Sequence, residues 1–74
     1  MTSTYTLTAA LGDERETVRI TEDDATGATF VAIARVLDRA MDSRLWAVGR
    51  IELTDPTGAV IQHMPAKSDT NEGA

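Results

Sequence analysis

The chain contains no cysteine, so neither a disulfide nor a thiolate metal site can support its fold. Its one histidine, His63, is too few for a histidine-built metal centre; no metal and no other cofactor is expected. Aromatic residues are scarce, with Tyr5, Phe30 and Trp46 the full set, which leaves little with which to stack nucleic-acid bases. Basic residues are outnumbered 7 to 12 by acidic ones, for a net charge of −5. That balance works against general attraction to phosphate backbones or anionic membranes. No apolar run approaches the ~18 residues a membrane helix needs, and Met1-Thr2-Ser3-Thr4 lacks the basic and apolar regions of a signal peptide. The expectation is therefore a soluble cytoplasmic protein without a membrane partner. Also missing are a nucleophile elbow, a phosphate loop and a metal-ligand pair at helical spacing. A domain this small offers little depth for a pocket, so an enzyme is not expected.

What is present is a switch of hydrophobic rhythm. Tyr5, Leu7, Ala9 and Leu11 alternate with polar or small residues, and Val18 and Ile20 alternate with Thr17, Arg19 and Thr21. This is the period-two pattern of half-buried strands, expected over 4–11 and 16–21. If Gly12-Asp13 is a two-residue loop, Leu7 opposes Val18 and Tyr5 opposes Ile20. From 25 to 42 the period becomes helical. Asp23 or Asp24 precedes it as N-cap, and Phe30, Ile33, Leu37 and Met41, flanked by Ala34 and Ala40, form the stripe expected to face the core. Period two then returns over 45–54 and 59–64, around a turn at Asp55-Pro56-Thr57-Gly58. A three-residue loop there pairs Leu53 with Ile61, Ile51 with His63 and Glu52 with Gln62.

The expected fold is α+β: a single ββαββ domain over 1–65, with one helix on one face of a four-stranded, mostly antiparallel sheet. A right-handed crossover from strand 2 to strand 3 favours the order 2-1-3-4, with 1-2-3-4 the rival. Residues 66–74 lack apolar periodicity and are expected to form a disordered tail.

Two surfaces are candidates for partner binding. Carrying the inward phase of Ile51 and Leu53 back along strand 3 projects Trp46 and Val48 from the open sheet face. There they would lie near Val60 and Met64 and be rimmed by Arg19, Arg50 and Gln62. The competing reading is a bulge at Gly49, which flips the phase and sends Trp46 into the core. The second candidate is the helix side away from the stripe: Ala28, Val31, Ala32 and Arg35. The acidic cluster Glu22-Asp23-Asp24 lacks the ligand spacing of a calcium loop and reads as capping.

The function expected from these features is a small non-enzymatic interaction module, self-associating as a homodimer or binding another protein. The arginine-, alanine- and threonine-rich composition suits a bacterial or phage accessory or inhibitor protein. Alternatives are a nucleic-acid binder using the open sheet face and a structural subunit of a larger assembly.

Overall fold

A computed structural model describes residues 1–64. The order of elements is β1 (Ser3–Leu11), β2 (Glu14–Glu22), α1 (Ala25–Ala40), α2 (Arg44–Val48), β3 (Arg50–Thr54) and β4 (Val60–Met64). The strands form one antiparallel sheet in the order β2-β1-β3-β4, the α+β arrangement the sequence favours. The expected tail at 66–74 lies outside the described residues.

Local chemistry sets the first hairpin. Gly12, with φ +61°, occupies the first position of the two-residue loop, as a type II′ hairpin turn requires. Leu7 then opposes Val18, and Tyr5 opposes Ile20. Tyr5, Leu7, Ala9 and Ile20 are buried beneath the helices, together with Ile51 and Leu53 from β3. Thr4, Thr6, Thr8 and Ala10 alternate onto the opposite, open face.

The second hairpin follows expectation through its turn and then departs from it. Gly58 has φ +97°, and its amide donates to the Asp55 carbonyl at 3.0 Å. Thr54 pairs with Val60, but a bulge follows and the next pairs are Leu53–Gln62, Glu52–His63 and Ile51–Met64. The expected pairs Leu53–Ile61, Ile51–His63 and Glu52–Gln62 do not form. The extra residue, Ile61, still packs on the core, and the shift exchanges the residues beyond it. Met64 turns in beside Ile51, and His63 turns out beside Glu52.

Two further corrections concern the helices. The segment expected to begin strand 3 at Leu45 instead makes the short helix α2, capped by Ser43, whose hydroxyl accepts the Trp46 amide at 3.4 Å. Leu45 and Trp46 are buried on it. Gly49 ends α2 and lets the chain pass close to β1: a Cβ there would lie 2.3 Å from the Leu45 carbonyl oxygen and 2.8 Å from that of Ala10.

The second correction is the rotation of α1. Asp24 caps it, accepting the Gly27 amide at 2.8 Å. The residues it buries are Ala28 and Ala32, with Val31, Val36 and Ala40 packed partly against the core. At ~100° per residue, Ala28 and Ala32 lie roughly opposite Phe30 on the helix. The expected core stripe therefore faces away from the sheet: Phe30 is 70%, Ile33 42%, Leu37 65% and Met41 83% exposed. Small residues allow α1 to sit close to the sheet, where the larger stripe would hold it off.

Candidate functional site

The helix side expected to be free is thus the packed side. Ala28 and Ala32 are fully buried, Val31 is half-buried, and only Arg35 of that set is exposed. In exchange, Phe30, Ile33, Leu37 and Met41 form an apolar stripe on the outside of α1, about 16 Å long at ~1.5 Å rise per residue. Ala34, also exposed, lies on this stripe between Ile33 and Leu37. Single exposed apolar residues are ordinary on protein surfaces, but a contiguous line of large ones marks a contact surface.

The stripe continues sideways into a groove between α1 and the edge strand β4. This groove, about 240 Å³, is lined by Thr29, Ile33, Val36, Leu37, Gln62, His63 and Met64. Met64 reaches it only because of the Ile61 bulge; without that bulge, it would alternate onto the open face. One continuous apolar surface thus spans a helix and a sheet edge.

The sheet-face candidate does not assemble. Trp46 is 1% exposed, and its indole N–H donates to Glu16 Oε1 on β2. The Arg39 guanidinium lies 5.5 Å from the indole centroid and 4.0 Å from Glu16, so the ring is held between α1, α2 and β2. Val48 is exposed at the end of α2, and Met64 is on the helix side. Val60, Arg19 and Arg50 remain on the open face, where Val60 opposes Thr54 and Arg19 opposes Thr6.

That face is otherwise threonine and arginine. Arg15, Thr17, Arg19 and Thr21 from β2 stand beside Ala10, Thr8, Thr6 and Thr4 from β1, then Arg50, Glu52 and Thr54 from β3. Glu52 Oε2 lies 3.7 Å from His63 Nδ1, and among the described residues Arg15, Arg19 and Arg50 have no carboxylate within ion-pair distance. Against a net charge of −5, this makes a locally basic surface.

Two shallow hollows near the α1–α2 junction carry mixed charge; one is lined by Glu14, Arg15, Glu16, Asp42, Ser43, Arg44 and Leu45. The other is lined by Glu16, Arg35, Asp38, Arg39, Asp42 and Ser43. Among the described residues, no cluster of at least 3 His, Cys, Asp or Glu side chains is placed to hold a metal. Among the same residues, no helix is long and apolar enough to cross a membrane. Comparisons with known protein families, with curated proteins and with solved structures find no match for this chain.

Sequence reasoning found the stripe but gave it the wrong role. The missed signal was a second apolar line at helical spacing: Ala28, Ala32 and Val36, four residues apart. Either line fits the sheet-facing side of a helix.

Proposed function

We propose that this protein is a non-enzymatic interaction module that acts by binding protein, and that its self-association uses the outer face of α1. The single observation behind this reading is the exposure of Phe30, Leu37 and Met41 on a helix whose opposite side is already packed on the sheet. Folding leaves this apolar surface in water, so covering it is favourable by roughly 25 cal/mol per Å². Stable interfaces cover ~800 Å² per partner, and the groove beside β4 extends the stripe toward that size. A cytoplasmic accessory or inhibitor role in a bacterium or phage rests on composition alone.

The nucleic-acid reading has the Arg15, Arg19 and Arg50 guanidinium groups and several threonine hydroxyls in its favour. However, Tyr5 and Trp46 are buried and Phe30 is on the helix side, so among the described residues the open face offers no Phe, Tyr or Trp ring on which a base would stack. The interaction reading is therefore preferred.

Sedimentation equilibrium tests it. The 8.0 kDa chain is expected to reach twice its monomer mass as concentration rises. Leu37→Glu is expected to return it to the monomer with its far-ultraviolet circular dichroism unchanged. A wild-type protein that stays monomeric at the highest soluble concentration would remove the self-association claim.

A further inference from the structure

Resting on the reading that the protein acts by binding protein, but on a surface separate from α1, we infer that the open sheet face holds a short acidic segment of a partner protein. Arg15, Arg19 and Arg50 receive its carboxylates. The sequence of β2 sorts charge by sign. Its period of two sends Arg15 and Arg19 to the open face, opposite Ala10 and Thr6, and sends Glu14, Glu16 and Glu22 to the helix side, opposite Leu11, Ala9 and Ser3. β3 adds Arg50 to the open face, again opposite Ala10. All three arginines are exposed, and none has a carboxylate within ion-pair distance among the described residues. A chain of net charge −5 thus presents a face whose described strand residues include three arginines and a single carboxylate, Glu52.

The register also spaces these charges. Arg15 and Arg50 stand on either side of the Ala10 methyl group, their Cα atoms two strand spacings or ~10 Å apart. Arg15 and Arg19 lie four residues apart along β2, ~14 Å. Acidic residues three and four positions apart in an extended peptide have the same separations. Thr6, Thr8 and Thr17 lie between the arginines, short side chains whose hydroxyls donate to carboxylates or accept from peptide amides. An arginine fork holds a carboxylate through two parallel hydrogen bonds. A nucleic-acid strand carries the same sign of charge but fits less well, because its phosphates are continuous. Both ends of β2 are acidic, with Asp13 and Glu14 at the hairpin loop and Glu22, Asp23 and Asp24 at the other end. A phosphate chain running along β2 past the arginines meets these acids, whereas a peptide can place its carboxylates only where the arginines stand.

Fluorescence anisotropy tests this with a labelled hexaglutamate peptide and, as its rival, a labelled hexathymidylate. At about 0.1 M salt the Debye length is ~10 Å, so either probe responds to this face more than to the acids behind the sheet. Hexaglutamate is expected to bind, and to bind more weakly as salt rises. Arg15→Gln and Arg50→Gln are each expected to weaken it about tenfold. Arg35→Gln removes the same charge from the helix layer and is expected to leave binding unchanged. Glu52→Gln removes the one carboxylate of the face and is expected to tighten binding a few-fold, a gain that misfolding cannot mimic. No binding of hexaglutamate, or equal weakening by Arg35→Gln, would overturn the inference. Preference for hexathymidylate would overturn it in favour of nucleic acid. Sedimentation of the same samples separates these failures from that of self-association through α1. A dimeric mass without peptide binding removes this inference alone, and peptide binding by a monomer sustains it while removing self-association.

Discussion

Asp55 holds the β3–β4 loop with one carboxylate oxygen, which accepts the Thr57 hydroxyl at 2.7 Å, the Thr57 amide at 2.9 Å and the Ala59 amide at 3.0 Å. The bond from the Thr57 hydroxyl, followed by that from the Ala59 amide, holds its carboxyl below the ordinary value of 3.8. These bonds favour the ionised form, so folding binds fewer protons here than the unfolded chain does. The contribution is complete above the unfolded value and is lost as pH falls through the lowered one. The melting temperature of the wild type should therefore exceed that of Asp55→Ala at neutral pH. Thermal melts stepped down below pH 3.8 should show that gap closing. At Trp46 the stakes are larger, because the indole is both buried and hydrogen-bonded. Trp46→Phe removes the Glu16 bond and should cost about 1–2 kcal/mol, and Trp46→Ala about 3–5 kcal/mol. Both are measurable by urea denaturation followed by circular dichroism. Buried within the single chain, Trp46 should emit at short wavelength whatever the concentration.

At the scale of elements, the rotation of α1 reverses the usual ranking of large and small side chains. Ala28→Leu adds volume where the helix meets the sheet and should destabilise by about 1–3 kcal/mol. Phe30→Ala should stay within about 0.5 kcal/mol. Both belong in a Leu37→Glu background, so that association does not mask the comparison; denaturant midpoints in the opposite order would refute the rotation. Gly49 is constrained differently. Its φ of −75° suits any residue, but a Cβ has no room against the Leu45 and Ala10 carbonyls, so Gly49→Ala should unfold the α2–β1 junction. These elements also show what the sequence made legible. The facing of the first hairpin was readable, because Tyr5, Leu7, Val18 and Ile20 alternate around a loop glycine and turn inward with either a two- or a four-residue loop; the structure has the two-residue loop. Crossover geometry favoured the strand order that forms but left 1-2-3-4 open as a rival, and the β1–β3 pairing decides between them. The facing of α1 was not readable, because a hydrophobic period locates a stripe without saying whether the chain's own sheet or another molecule covers it. Leu45 to Val48 misled for a related reason: a four-residue apolar run fits a strand or one helical turn, and the Ser43 cap that decides between them is a single hydroxyl. The His63–Met64 exchange was hidden because a bulge needs only one extra residue and leaves no compositional mark.

For the molecule as a whole, a domain of this size hides only about 60% of the surface its unfolded chain exposes. The proposed association would then become part of stability: anything that binds only the folded form raises its melting temperature with concentration. The wild-type midpoint should climb as the protein is concentrated, and that of Leu37→Glu should stay flat. The open sheet face acquires a further meaning under this arrangement. Joined back to back through their helices, two copies would point their arginine–threonine surfaces in opposite directions. An anionic target too weakly held by one such surface would be gripped by two, or two targets would be drawn together. The dimer would thus be a bivalent bridge, its avidity set by the separation of the two sheets.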